Sequence, residues 1–172
     1  MSTADPVKLK DLPKVAPFVL HPDDRAAIVH EKTLYDYPRA AVIEALKIVQ
    51  ARHGWVCDAA VTAIADVLGV TAADVDGVAT FYNLIFRQPV GRHVIKICDS
   101  IGCFLTGYEA LRAAFEKHLG IRYGGTTPDN RFTLLPVVCL GACDRGPVIM
   151  IDDDTHFNVG PDGIVALLER YA

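Results

Sequence analysis

Four of the five cysteines stand in two pairs in the second half of the chain. Four residues separate Cys98 from Cys103, and three separate Cys139 from Cys143. Thiolates are the soft ligands that zinc and iron–sulfur clusters take, and paired thiols also support redox chemistry. The two pairs therefore predict a metal or redox site to which all four cysteines contribute.

The elements around the cysteines bring the two pairs together. Each pair follows an apolar run that predicts a buried strand, at 93–98 before the first pair and at 132–138 before the second. The helical stripe between them is formed by Phe104, Tyr108, Leu111, Phe115 and Leu119. Strand, helix and strand predict a parallel βαβ unit, whose two strands end at the same edge of the sheet. Four sulfurs can meet there, with Cys103 in the first turn of its helix, where backbone N–H groups favour the thiolate.

Spacing and topology leave three kinds of site open. Zinc prefers ligand pairs two to four residues apart, whereas a gap of four residues recurs in plant-type [2Fe–2S] ferredoxins, so an iron–sulfur cluster is favoured over zinc. Disulfides or free core cysteines are the third alternative. No C-x-x-C pair occurs, which argues against thiol exchange of the thioredoxin kind. The fifth cysteine, Cys57, stands at the start of a predicted helix, and we expect it to be a small buried residue that ligates nothing.

The remaining patterns predict an α+β fold in two parts after a loose arm. Prolines interrupt any helical period in residues 1–21, helical stripes with cap signals cover 22–88, and mixed strands and helices fill 89–172. The stretch 87–92, with its proline and glycine, marks the boundary. Near the C-terminus we expect a strand at 148–151, a solvated hairpin turn at Asp152-Asp153-Asp154 rather than a calcium loop, and a final helix from about Pro161 to Tyr171.

Composition excludes several classes of function. The chain has 172 residues and a net charge of −4, so no basic excess exists to bind nucleic acid. Its longest run without a charged residue, Phe132 to Cys143, is too short to span a bilayer. No apolar segment suited to a signal peptide follows Met1, which favours a thiol-reducing compartment. No G-x-G-x-x-G follows a strand and no Walker sequence occurs, so we expect no nucleotide or flavin site on this chain.

A family resemblance is carried by several short motifs. They are Gly77-Val78-Ala79-Thr80-Phe81-Tyr82, Pro89-Val90-Gly91, Cys98-Asp99-Ser100-Ile101-Gly102-Cys103, and Cys139-Leu140-Gly141-Ala142-Cys143 with Pro147. From about Pro22 to the C-terminus, the sequence resembles the E subunits of bacterial NADH-quinone oxidoreductase, respiratory complex I.

The resemblance implies a helical bundle for docking to a partner and a thioredoxin-like α/β domain. It implies one [2Fe–2S] cluster bound by Cys98, Cys103, Cys139 and Cys143. It further implies that this cluster exchanges electrons with the FMN of a neighbouring F subunit, which oxidises NADH, and that a G subunit lies nearby. The assembly would be peripheral, on the cytoplasmic side of the inner membrane, and this chain alone would not be catalytic.

Two alternative functions stay open at this point. E-type subunits of similar sequence occur in NAD-linked hydrogenases and formate dehydrogenases. A zinc-bound module that only tethers subunits is an alternative of a different class. An ultraviolet-visible spectrum distinguishes the last, because zinc thiolates are colourless and [2Fe–2S] proteins are reddish brown.

Overall fold

The computed structural model describes residues 18–171. The chain divides into two compact units, one ending at Arg87 and the other beginning at Gln88. Most of the predicted arm, residues 1–21, lies outside the described residues. The end of that segment is packed, since Phe18 and Leu20 lie against the core of the first unit. Within residues 18–171, no helix is both long and apolar enough to cross a membrane.

The first unit is helical. Its helices are α1 (Pro22–Thr33), α2 (Val42–His53), α3 (Asp58–Leu68) and α4 (Ala72–Phe81), with a 3-10 turn at Pro38–Ala41 leading into α2. Gly54 and Gly69 end α2 and α3 with φ of 77° and 72°, a conformation that glycine adopts without the steric cost of a Cβ atom. Thr71 and Asp74 form the predicted capping box at the start of α4. The sequence signals for helix ends are therefore confirmed here.

A partly buried ion pair links the first two helices of the helical unit. The apolar stripe of α1 is weak, and its buried residues are Ile28 and Asp24. The Asp24 carboxylate accepts a hydrogen bond of 2.7 Å from Nε of Arg52 on α2. This hydrogen bond lowers the pKa of Asp24 although burial acts in the opposite direction. The pair joins α1 to α2 where apolar packing is sparse.

The second unit contains a four-stranded sheet. Its strands are β1 (His93–Cys98), β2 (Phe132–Val137), β3 (Ile149–Ile151) and β4 (Asp154–His156), in the order β2-β1-β3-β4. Strands β1 and β2 are parallel and adjacent, with Cys98 opposite Val137, while β3 and β4 run antiparallel. The predicted parallel pair is confirmed, and the α+β fold class with it. Both cysteine pairs therefore follow neighbouring strands at one edge of the sheet.

The helical stripe between β1 and β2 is interrupted. The sequence predicts one helix carrying Phe104 and Leu119 on the same face, but the structure has a short α5 (Ile101–Leu105) and a separate α6 (Tyr108–Leu119). Gly107 lies between them at φ 115°, outside the helical region, and Phe104 is half exposed. The prediction is wrong at Phe104, because this residue has helical spacing from Tyr108 but belongs to a different helix. Tyr108, Leu111 and Phe115 are buried in the core of this unit as expected.

The C-terminal segments follow the prediction with two differences. Asp152, with a φ of 51°, and Asp153 form the expected hairpin turn between β3 and β4, whereas Asp154 already pairs with Ile151 in β4. The final helix is not continuous. A 3-10 turn at Pro161–Gly163 precedes α7 (Ile164–Leu168), and a second 3-10 turn at Glu169–Tyr171 follows it. Ile164 and Leu168 bury the segment against the sheet core, so packing rather than a long helix holds it in place.

Candidate metal centre

The first cysteine pair is buried in regular structure. Cys98 is the last residue of β1, and Cys103 is the third residue of α5, in its first turn as predicted. The two residues are 2% and 1% exposed. The N–H of Cys98 donates to the carbonyl of Val148, which precedes β3. The position of this pair is thus fixed by β1, by α5 and by the segment that leads into β3.

The second pair lies in loop structure and is exposed. Cys139 comes two residues after β2 ends, and Cys143 begins a 3-10 turn, Cys143–Arg145. Their sulfurs are 3.7 Å apart. Gly141, between them, has a φ of 81°, and its N–H donates to the Cys139 sulfur at 3.2 Å. The left-handed glycine turns the loop so that both thiols of the pair come together.

Cys143 of the second pair packs against α5, the helix that carries Cys103. A Cβ atom added to Gly102, which precedes Cys103, would stand 3.3 Å from Cβ and 3.6 Å from Sγ of Cys143. A similar approach occurs at Gly146, where an added Cβ would stand 3.5 Å from the Cys103 sulfur. The short glycine-containing loops thus allow backbone and sulfurs to approach closely, as the sequence suggests. Within the described range 18–171, no three His, Cys, Asp or Glu side chains converge on one point suited to a single metal ion. The four sulfurs instead form two pairs.

Backbone N–H groups surround the sulfurs. Burial raises the pKa of the Cys98 thiol, but N–H groups of Ser100 and Leu140 donate to its sulfur, and the pKa lies below the usual value. Burial dominates at Cys103 and raises its pKa, although the N–H of Val148 acts in the opposite direction. Amide donors of this kind stabilise negative charge on sulfur, which is the state that binds metal.

The pKa of the Cys143 thiol depends on cysteines of both pairs. Its pKa is raised mainly by the hydrogen bond and negative charge of Cys139, then by burial, and then by the charge of Cys98. Four thiolates this close repel one another. A cationic group bound among them would remove that repulsion, so the donor set suits a metal cluster.

The fifth cysteine lies in the helical unit. Cys57 is half-buried, packs against the helical core and caps α3, because its sulfur accepts the N–H of Ala60 at 3.4 Å. The expectation of full burial is therefore too simple. Its position at the start of the helix, visible in the sequence, is the signal that could have predicted this capping role. It lies in a different unit from the other four cysteines.

Exposed apolar side chains border the paired cysteines. Ile101 and Leu105 on α5 are 72% and 76% exposed, and Val138 beside Cys139 is 70% exposed. Sequence reasoning missed this surface, because an apolar residue in a helix or after a strand is ordinarily assigned to the core. Sequence reasoning also missed the effect of the Val148 N–H on the pKa of Cys103. Val148 lies far from Cys103 along the chain, and no local pattern indicates that the two residues meet.

Comparison with known proteins identifies related sequences over most of the chain. The family of thioredoxin-like [2Fe-2S] ferredoxins matches residues 28–172. The NADH-quinone oxidoreductase E subunit of Salmonella typhimurium is 61% identical over 159 residues, which cover 92% of this chain and 96% of the relative. The protein of the same name from Pseudomonas aeruginosa is 59% identical over 154 residues, covering 90% of this chain and 93% of the relative.

A solved structure shares the fold. The crystal structure of an NAD+-reducing [NiFe]-hydrogenase in the H2-reduced state superimposes on 76% of this chain with a TM-score of 0.65. The identity is 24%, and the match covers 22% of the hydrogenase chain, so the likeness concerns the fold alone. Together the comparisons agree with the resemblance that the short motifs carry.

Proposed function

The chain belongs to the thioredoxin-like [2Fe-2S] ferredoxin family, and we propose that it is the electron-transferring E subunit of an NADH-quinone oxidoreductase. The observation that carries this proposal is the pairing of four sulfurs at one sheet edge. The identity of about 60% to proteins of that name, over nearly the whole chain, supports it. A hydrogenase-type assembly has less support, since the likeness there is limited to the fold.

The cluster ligands in this proposal are Cys98, Cys103, Cys139 and Cys143. The buried pair and the exposed pair would each supply two of the four thiolate ligands. When bound, a [2Fe–2S] cluster accepts and returns one electron at a time. The protein contributes the amide donors that stabilise the sulfurs and the packing that excludes water from Cys98 and Cys103.

Electrons reach this centre from a partner. We assign FMN and NADH to a neighbouring F subunit, with a G subunit nearby, because no nucleotide-binding motif occurs in this sequence. The exposed pair and its apolar border, Ile101, Leu105 and Val138, suit approach by a protein surface that excludes water. As part of such a complex, the chain would be peripheral on the cytoplasmic side of the inner membrane.

The helical unit is assigned to docking. Its motif Phe81-Tyr82-Asn83-Leu84-Ile85-Phe86 buries Ile85, whereas Phe81 is 80% exposed and Tyr82 and Leu84 are about half exposed. Large exposed aromatic side chains are enriched where proteins bind one another. We therefore expect Phe81, Tyr82 and Leu84 to contact the flavin-bearing partner.

Metal analysis tests the ligand assignment. Chain purified without oxygen is expected to hold about two iron and two labile sulfide and to be reddish brown. Serine at any of the four cysteines should lose or cripple the cluster, because each sulfur is one of four ligands. Cys57→Ser is the matched control and should keep the cluster. Colourless, iron-free protein with stoichiometric zinc would refute the proposal and support the zinc alternative.

Turnover assays test the division of labour. The isolated chain is expected to show no NADH oxidation with artificial acceptors, and activity should appear when the flavin-bearing subunit is added. Rapid NADH oxidation by the chain alone would contradict the assignment of FMN to the partner.

Co-purification tests the docking surface. The double variant Phe81→Ser with Leu84→Ser should keep its iron and its helical circular dichroism but lose most of its binding to the flavin-bearing subunit. Val29→Ser with Val165→Ser, two exposed apolar sites outside this motif, is the control and should bind normally. Normal binding by the Phe81 and Leu84 variant would contradict the docking role.

A further inference from the structure

Arg145 is held in a fixed position two residues after Cys143. Its N–H donates to the carbonyl of Ala142 at 3.0 Å, and its carbonyl accepts the N–H of Asn158 at 2.8 Å. Its guanidinium lies 3.8 Å from the centroid of the Phe157 ring. Stacking on an aromatic face restricts a side chain that is otherwise flexible. Arg145 belongs to the 3-10 turn that begins at Cys143, so a positive charge with restricted motion is attached to the segment that carries the exposed sulfur pair.

Two carboxylates near the cysteines oppose this charge. Asp144 lies 3.7 Å from Nε of Arg145, and its side chain is 78% exposed, compared with 52% for Arg145. Asp99, directly after Cys98, is also exposed. Solvent screens these carboxylates more than it screens a guanidinium stacked on a ring. The Lys96 ammonium, on β1, donates to the carbonyl of Asp152 at 2.6 Å and lies near the carboxylates of Asp152 and Asp153.

We propose that Arg145, positioned by Phe157, raises the reduction potential of the cluster held by the four cysteines. The inference rests on the function proposed above. Reduction adds one electron and hence one negative charge to the centre, with no bond formed or broken in the protein. A fixed positive charge nearby stabilises the reduced form more than the oxidised form, because the reduced form carries more negative charge. Arg145 acts through its charge and is not a ligand of the cluster, and Phe157 is the residue that positions it.

Redox titration of the full-length chain with its cluster, followed by visible absorption and by the EPR signal of the reduced state, tests the proposal. Arg145→Gln should lower the midpoint potential, shifting the reduction equilibrium several-fold. A tenfold shift corresponds to about 59 mV for one electron. Arg145→Lys should restore most of the potential, since it keeps the charge. Asp144→Asn should raise the potential.

Control variants separate charge from structure. Arg122→Gln removes an equal charge beyond the end of α6 and should leave the potential unchanged. Phe157→Leu releases the guanidinium and should lower the potential less than Arg145→Gln does. Raising the salt concentration should shrink the difference between Arg145→Gln and the unmodified chain.

Three results would overturn the inference. They are an unchanged potential in Arg145→Gln, an equal shift in Arg122→Gln, and a potential for Arg145→Lys as low as that for Arg145→Gln. A chain without a [2Fe–2S] signal before any substitution would instead refute the proposed function. The two failures are therefore distinguishable.

Discussion

The two cysteine pairs sit in opposite surroundings although they follow neighbouring parallel strands. Cys98 and Cys103 belong to β1 and α5 and are almost completely buried. Cys139 and Cys143 lie in a loop and a 3-10 turn and are exposed. Regular structure thus defines one side of the centre, while loop conformation defines the other.

This difference suggests a division of roles within one site. The buried pair is anchored by hydrogen bonds and packing, so it provides a rigid base from which water is excluded. The exposed pair depends on the left-handed Gly141 and lies next to exposed apolar side chains. Exposure is what an electron-transfer centre needs on the side from which its partner approaches.

Alkylation of the metal-free chain should distinguish the pairs most strongly. We expect iodoacetamide to modify Cys139 and Cys143 at least about tenfold faster than Cys98 and Cys103, because reagent access requires exposure. Mass spectrometry of peptides over time measures the rates. The lowered pKa of Cys98 favours its reaction, so a slow rate there would be due to burial.

The chain with its cluster provides the control for that experiment. All four paired cysteines should then be protected, leaving Cys57 as the modified residue. Equal rates for the four cysteines in the metal-free chain would mean that the buried pair opens readily, and the comparison would fail.

Gly146 tests the packing around the buried pair. In Gly146→Ala, the new Cβ would stand 2.6 Å from Oγ1 of Thr106, which donates to the carbonyl of Gly102 at 3.0 Å. We expect a loss of about 1–3 kcal/mol in the free energy of unfolding, measured by urea denaturation. Adding Thr106→Ala removes the clashing oxygen and should recover part of the loss. No recovery in the double variant would contradict this account.

Gly141 tests the backbone of the exposed pair. Nothing lies within 4 Å of an added Cβ, so the cost of Gly141→Ala comes from its φ of 81° alone. The expected loss is about 1 kcal/mol, together with weaker iron retention. Gly141→Asn should cost less, because asparagine tolerates the left-handed region better than alanine does. Equal losses of unfolding free energy in Gly141→Ala and Gly141→Asn would mean that the left-handed backbone of Gly141 is not the cause.

The elements that a local pattern determines are predictable from the sequence. The apolar runs predict β1 and β2 within one residue, and the capping box at Thr71 marks the start of α4, because both signals depend on neighbours along the chain. The shared edge of the two cysteine pairs follows from the parallel strands. The assignment of the four cysteines as cluster ligands stays a prediction that metal analysis must test.

Features that depend on tertiary contacts could not be predicted. Arg145 stacks on Phe157, and the Val148 N–H acts on the Cys103 sulfur. In both cases the two residues lie far apart in the sequence, and no local pattern indicates that they meet. The break at Gly107 has no signal in the periodicity, because the apolar period continues across it. The exposure of Ile101 and Leu105 could not be predicted either, because hydrophobicity alone does not distinguish a core face from a binding face.

Acid should weaken the sheet unit slightly through a residue outside both pairs. Burial is the largest influence on His156, on strand β4, and lowers its pKa below 6.5, while its Nε2 is 2.8 Å from the Tyr171 hydroxyl. The unfolded chain therefore binds this proton more readily than the folded chain. The stability that neutral His156 contributes is complete above about pH 6.5, and it is lost as the pH falls towards the lowered pKa of the folded chain.

Thermal unfolding at pH 7.5 and pH 5.5 measures this effect, which we expect to be small because a single histidine is involved. The unmodified chain should lose more of its Tm between the two pH values than His156→Gln, which cannot take up a proton. Glutamine can still donate to the Tyr171 hydroxyl, so the variant should remain folded at pH 7.5. Because His156 is not among the paired cysteines, its substitution should leave the iron content and the ratio of alkylation rates unchanged. An altered alkylation ratio in His156→Gln would mean that the edge strand, and not only burial in β1 and α5, controls access to the first pair.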